Sequence, residues 1–492
     1  MYSKIIGYAP DVEPTTPGVI KGAENIVPTV RGISTAPSAN NTSLDVLTGT
    51  CVGAISIMQT DGNVRTFAGT TGELFEAAGT GWTDVSRGGA DYTAGASWHF
   101  SQYGDMSLAT NGVAVLQFSS SGAFADLTGA PKAQVIEVVN NQVLALNTSD
   151  ATFGSSPNRW WFSALGNPGS WAPSIATQAV SNTLSDTPGK ITAGKKVGSN
   201  VLIFKEQATY LGAYVGPPEI WQFLLLSRTS GCVGKKAVAA VNDFAFFMGI
   251  DDFYIFDGAS VRPIGGDLRN FFFSEELNKD NWDQVVAVSD VENSRIYWYY
   301  PSLVSGSNKL DRFVVFDYLR NRWGIGPRGI NETAVTVETV FPYIRTTGPT
   351  YNTLGNFYST YADLPAIAFD SSFWQARVNR VGLFNTSHKL QTLDGAATSS
   401  TLILWDMGQE ARYSFVKRLR PRFLTTPSSA TLAHSYRDDL GVTETSDTPT
   451  VSMSEGKFDL EREARWHSSR VTFSGEMELV GVDVDITGAG VE

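Results

Sequence analysis

The stretch AVAAVNDFAFFMGIDDFYIFDGASVRPI (237–264) decides the fold. It reads as four short strands: AVAAV, the turn Asn242-Asp243, FAFFMGI, the turn Asp251-Asp252, FYIFDG, and then VRPI. The strands are almost continuously apolar, which suits a sheet covered on both faces rather than one with a wet side. Asn, Asp and Gly tolerate the positive φ angles of short hairpin loops, so such turns separate strands cleanly.

The same unit returns along the chain. The turns that open successive units are Thr60-Asp61-Gly62, Gly104-Asp105, Asn140-Asn141, Gly198-Ser199-Asn200, Asn242-Asp243 and Glu292-Asn293. They lie roughly 35 to 60 residues apart, the length of one four-stranded propeller blade. In the first unit AISIM, VRTFAG and ELFEA are strands, with Trp82 to Val85 as the fourth; the sixth runs VVAVS, RIYWYY, RFVVFDY and ends at RNRWGIG. The expectation is an all-β chain with a roughly six-bladed β-propeller over residues 51–328, inserts in units three and six leaving five or seven blades open. Rings such as Trp160-Trp161-Phe162 and Tyr297 to Tyr300 are expected to pack blade against blade, each burying area worth a few kcal/mol. The alternative use of these rings is as platforms for sugars.

Two regions fall outside the repeat. Residues 1–50 are rich in Pro, Thr, Gly and Asn and cannot form a core alone, so they read as an extended N-terminal arm that orders along another surface. Pro14, Pro17, Val19, Ile20, Pro28 and Arg31 are its candidate interface residues. Deleting residues 1–34 is expected to leave a folded propeller. Residues 329–492 begin with a loop-rich, aromatic stretch (Phe341, Tyr343, Tyr351, Phe357, Tyr358, Tyr361). Strand signals then return in FWQARVN, HKLQTL, TLILWDM, YSFVKRLRPRFL, ATLAHSYRD, RVTFSG and MELVGVDVDI, which read as a C-terminal β-sandwich or small barrel. Lys417, Arg418, Arg420 and Arg422 alternate with apolar residues there and form either a solvated strand face or a subunit- or DNA-facing surface.

Composition narrows the function classes. The 492 residues are 42% hydrophobic and 17% charged, as in an ordered globular protein of two or three domains. A net charge of −12 opposes tight wrapping of nucleic acid, though not its passage along a wall that must not hold it. Cys51 and Cys232 are too few for a disulfide framework, and the opening MYSKIIGYAPDVEP lacks an apolar signal core. No apolar run nears the ~18 residues of a membrane span, so a soluble protein made in a reducing cytoplasm, without membrane insertion, is expected.

Motifs for chemistry are sparse. The four histidines (His99, His388, His434, His467) are scattered, and none pairs with Cys at a zinc-binding spacing. Gly231-Cys232-Val233-Gly234-Lys235 lacks the spacing and the following Ser or Thr of a phosphate loop and precedes a strand. Asp251, Asp252 and Asp257, like Asp483 and Asp485, suit turn and strand-face duty better than a cation site. Ser, His and Asp within 434–439 are local neighbours on a strand, not a triad. No catalytic residue, cofactor or metal is expected.

Several stretches together resemble one family. DVEPTTPGVIKGAENIVPTVRG (11–32), Asn158-Arg159-Trp160-Trp161-Phe162-Ser163 followed by Asn167-Pro168-Gly169-Ser170-Trp171, the run Ile203-Phe204-Lys205-Glu206 to Tyr210 with Ser230-Gly231-Cys232-Val233, and RVTFSGEMELVGVDVDITGAG (470–490) resemble, in that order, segments of the tail hub or nozzle proteins of short-tailed bacteriophages, also called packaged-DNA stabilisation or head-to-tail connecting proteins. The resemblance implies a virion protein, assembled in the bacterial host cytoplasm as a homo-hexamer beneath the head-to-tail adaptor ring. It further implies a platform, a dock for tail fibres or tailspikes, and a lumen through which viral DNA leaves. From the residues alone, a carbohydrate-binding receptor propeller or a propeller glycan hydrolase are the rival readings.

Overall fold

The computed structural model describes residues 2–89, 92–304, 308–327, 336–346, 360, 364 and 377–490. Its repeat is a propeller of seven four-stranded antiparallel sheets. Blades 1 to 6 start from the inner strands Gly53–Met58, His99–Tyr103, Lys132–Val139, Ile191–Val197, Val238–Val241 and Val286–Asp290, each followed outward by three more strands in chain order. The turns behave as their residues dictate: Asn140, Asn141 and Asn242 sit at φ 49°, 53° and 54°, and Gly62 at 92°.

Blade 7 corrects the expected count of six and the boundary at 328. Its strands are Val337–Thr346, Arg377–Asn385 and Leu390–Gly395, and its outer edge is Ser38–Asn41, which arrives from the other end of the chain. The inner strand Val337–Thr346 packs beside those of blades 6 and 1 and closes the ring. One blade assembled from two distant segments leaves no unit of regular spacing to read. For the same reason FWQARVN and HKLQTL, expected in the sandwich, contribute to this blade where described. Tyr351, Phe357, Tyr358 and Tyr361 lie outside the described residues.

The sandwich is present, but the N-terminal segment is part of it rather than a free arm. One sheet joins Tyr2–Lys4, Ile26–Pro28 and Ile33–Thr35 to Tyr413–Thr425, Phe458–Ala464 and Glu478–Gly490. The other joins Gly7–Tyr8 and Val19–Glu24 to Ser399–Leu404, Ser429–Arg437 and Trp466–Ser474. The segment does lie extended along another surface, and that surface belongs to its own chain.

A dense seam joins sandwich and propeller. Ile26–Pro28 runs against the outer strand of blade 6, Arg322–Pro327, where Gly324 and Gly326 allow the approach. A Cβ at these positions would lie 2.5 Å from the Ile26 carbonyl oxygen and 2.8 Å from the Asn25 Cα. Asp11 accepts the backbone N–H groups of Asn270 and Phe271 at 2.6 and 2.9 Å, and Arg295 donates to the Pro28 carbonyl at 2.7 Å. Within the sandwich, Asp406 is 1% exposed and held by Lys21 (2.5 Å) and Arg437 (2.7 Å). One apolar core runs from Ile5, Ile20 and Leu419 through Tyr8 into Phe246, Phe253 and Trp298 of the blades.

His434 and His467 lie side by side in the sandwich core, ring centroids 5.3 Å apart. His467 Nε2 is 3.1 Å from the Ser414 carbonyl oxygen and therefore carries the proton. Its Nδ1 then accepts from His434 Nε2 at 3.1 Å, an arrangement that needs the His467 ring neutral. Burial, aided by the His467 neighbour, pushes His434 down to about 4, and burial lowers His467 as well. A histidine depressed in the folded state binds its proton better when unfolded. Its stabilising contribution is therefore complete above the ordinary value of 6.5 and is lost as pH falls toward 4. Urea titrations at pH 7 and pH 5 should differ by ~2 kcal/mol from His434 alone, and His434→Gln should remove most of that slope. An unchanged slope in the variant would assign the acid sensitivity to other groups.

Candidate functional site: a lysine-lined axial channel

Inner strands of the blades surround an axial channel, and the loops leading into them shape one mouth, a cavity of about 390 Å³. Val52, Ser97, Gln134, Ile191, Val286 and Thr339 line it from six blades, and the turn before blade 5 supplies Lys235 and Lys236. That turn follows buried Cys232, whose thiol sits 3.3 Å from the Gly234 carbonyl oxygen and anchors the loop. The anchored turn directs both lysines inward. Lys235 Nζ donates to the Ser97 carbonyl at 3.0 Å and Lys236 Nζ to the Val52 carbonyl at 2.6 Å.

A second cavity, about 290 Å³, lies next to the first and shares both lysines, adding Lys195 and His99. Lys195 Nζ is 3.2 Å from Glu137 Oε1. The enclosing walls disfavour charge: burial, then the charge of Lys236, bring Lys235 down to about 7, and burial brings Lys236 down to about 8. His99 is held well below its ordinary range by burial and then by Lys195, Lys235 and Lys236, so the ring is neutral at pH 7. Its Nδ1 faces the Ile136 N–H at 3.4 Å. Glu338, also on the mouth, is raised by burial against the opposing pull of the Cys51 N–H (2.8 Å) and His388 (2.6 Å). The channel is thus a place where lysine amino groups offer N–H donors in a restricted, poorly solvated space. Among the described residues no group of three or more His, Cys, Asp or Glu could hold a metal ion.

The residues singled out from sequence lie elsewhere. Pro14, Pro17 and Arg31 are exposed, whereas Val19, Ile20 and Pro28 are buried inside the sandwich and its seam, so those three are core residues and not a surface for a neighbour. Strand pairing of the N-terminal segment is what buries them. Lys417, Arg420 and Arg422 are exposed on Tyr413–Thr425, with Arg422 paired to Asp483. Arg418 is half-buried, 3.3 Å from Asp459. Trp160, Trp161, Phe162 and Tyr297 to Tyr300 are all buried, Phe162 stacking on Trp221 at 4.2 Å and 2°, which is packing. Asp252 and Asp257 accept backbone N–H groups in turns, the role expected of them. Sequence reasoning alone misses the channel lysines because Gly231 to Lys235 reads there only as a failed phosphate loop. The usable signal was a Lys-Lys pair immediately before an inner strand.

No protein-family model matches the chain, and no curated protein matches it. Among solved structures it is similar to YCF48 bound to a D1 peptide (7% identity, 73% of this chain and 97% of that one, TM-score 0.36). It is also similar to YCF48 from Cyanidioschyzon merolae (10% identity, 73% and 98%, TM-score 0.39). A third is PorZ, a surface component of the type-IX secretion system of Porphyromonas gingivalis (11% identity, 60% and 34%, TM-score 0.33). At these values the chain's β-propeller rests on its own seven sheets, and its role on its own residues.

Proposed function

We propose that this chain is a structural subunit of a short viral tail, a nozzle or hub protein that forms a ring beneath the head-to-tail connection, conducts DNA and carries fibres or tailspikes. The observation that carries the reading is the position of the segment resembling that family's opening, residues 11–32. It locks sandwich to propeller through Asp11 and Ile26, making one stiff body suited to bear load. The acidic net charge of −12, repeated around a ring, favours a lumen that DNA does not adhere to. Exposed apolar side chains at Tyr2 (55%) and Leu424 (49%) on one sheet of the sandwich, with Val30 (66%) in one of its turns, offer contact area for a neighbouring subunit.

Native mass measurement of the purified protein, alone and with tail extract, tests this reading, with six copies expected. The basic strand face supplies a directed variant: Lys417→Glu with Arg420→Glu should weaken ring assembly at least tenfold while leaving the free energy of urea unfolding within ~0.5 kcal/mol of the parent, as for exposed substitutions. A chain that stays monomeric at high concentration and with extract, or particles that assemble normally without it, would rule the nozzle role out. Sugar binding by the isolated monomer on a glycan array would favour the receptor reading instead.

A further inference from the structure

We propose that the axial channel of the propeller is a binding site for a small oxyanion, held by Lys235 and Lys236 with Lys190 at the rim. The inference is independent of the nozzle reading.

It begins from a contrast. The chain as a whole carries a net charge of −12, yet Lys190, Lys195, Lys235 and Lys236 all line two cavities that share Lys235 and Lys236. Collecting ammonium groups in one enclosure is unfavourable unless something offsets their mutual repulsion and lost hydration. The protein's own groups offset only part of it. Lys195 has Glu137 at 3.2 Å, and Lys190 has only the distant Glu206 at 3.8 Å, both largely exposed. Lys235 and Lys236 each meet one backbone carbonyl, at 3.0 and 2.6 Å, and an ammonium has three N–H donors. Asp283 and Glu338 also line the mouth, but Glu338 is engaged by the Cys51 N–H and His388. Lys235 and Lys236 therefore have N–H donors to spare beside a space of about 390 Å³, large enough for a phosphate or a short carboxylate. Gln134 and Asn147 add amide groups at the wall.

The two lysines sit low enough that an arriving anion should raise them, so binding near pH 7.5 should take up protons. The other titratable groups facing them are His99, Cys51, Lys195, Asp283 and Glu338.

Titration calorimetry of the full chain with inorganic phosphate and, separately, with succinate tests the proposal in two buffers of different ionisation enthalpy. The expected result is saturable one-site binding of at least one probe, with proton uptake, weakened tenfold or more by Lys235→Met with Lys236→Met. Phosphate alone binding would assign the site to phosphoryl groups, succinate alone to carboxylates, and either supports the proposal. If the double variant does not fold, Lys190→Gln and Lys235→Gln singly should each weaken binding by about threefold or more. No saturable heat with either probe up to 20-fold above the protein concentration and into the millimolar range overturns it, as does equal binding by folded variants.

Discussion

Removing residues 1–41 is expected to abolish the native fold, not merely a docking arm. The segment contributes Ile5, Tyr8, Val19, Ile20, Ile26, Val27 and Ile33, all between 0 and 4% exposed. Each such side chain is worth ~1.5–3 kcal/mol on burial, so together they rival or exceed the ~5–15 kcal/mol by which a typical domain is stable. The loss also leaves two sandwich sheets and blade 7 with unpaired edges, because Ser38–Asn41 is the outer strand of that blade. Exposed strand edges aggregate. The truncated protein should be found in the insoluble fraction, and co-expression of residues 1–41 as a separate chain should recover soluble material. A soluble truncation with a sharp urea transition would show that the segment is dispensable, as the sequence reading of 1–34 supposed.

The second large effect belongs to Phe253. Its ring is fully buried, with centroids 4.8 Å from Phe272, 5.5 Å from Phe273, 4.8 Å from Trp298 and 4.9 Å from Trp323. It ties blade 5, the helical turns after it and blade 6 into one cluster, and that cluster continues to Tyr8 of the N-terminal segment. Phe253→Ala removes the ring and leaves a cavity that four rigid aromatic neighbours cannot collapse into. The expected cost is ~3–5 kcal/mol in equilibrium urea unfolding, with Phe253→Leu costing far less. A loss under ~1 kcal/mol for the alanine variant would mean that the surrounding rings repack.

The first six blades were legible because local residues encode them. Short apolar strands, separated by Asn, Asp and Gly at positive φ, need no distant partner to be recognised. The seventh was hidden because Leu390–Gly395 pairs with Ser38–Asn41 across about 350 residues, and no local pattern reports such a pairing. The same applies to Val19–Glu24, which reads as a proline-flanked loop until Ser399–Leu404 is set beside it. Tyr413–Thr425 was legible from its alternation: Val416, Leu419 and Pro421 point inward and Lys417, Arg420 and Arg422 outward, around an irregularity between 416 and 418. The channel lysines escaped because a ring concentrates residues from seven separate places in the chain. Their convergence exists only after closure.

The joint use of both chain ends carries a consequence for biosynthesis. Asn25 Nδ2 donates to the Ser399 carbonyl, 374 residues downstream, and its segment has no complete sheet to join until those later strands emerge. At ~5–20 residues per second the ribosome needs roughly 20–75 s to supply them. During that interval a proline-rich stretch that pairs poorly with itself must stay uncommitted, and a sequence with stronger self-association there would misassemble before its partners were made.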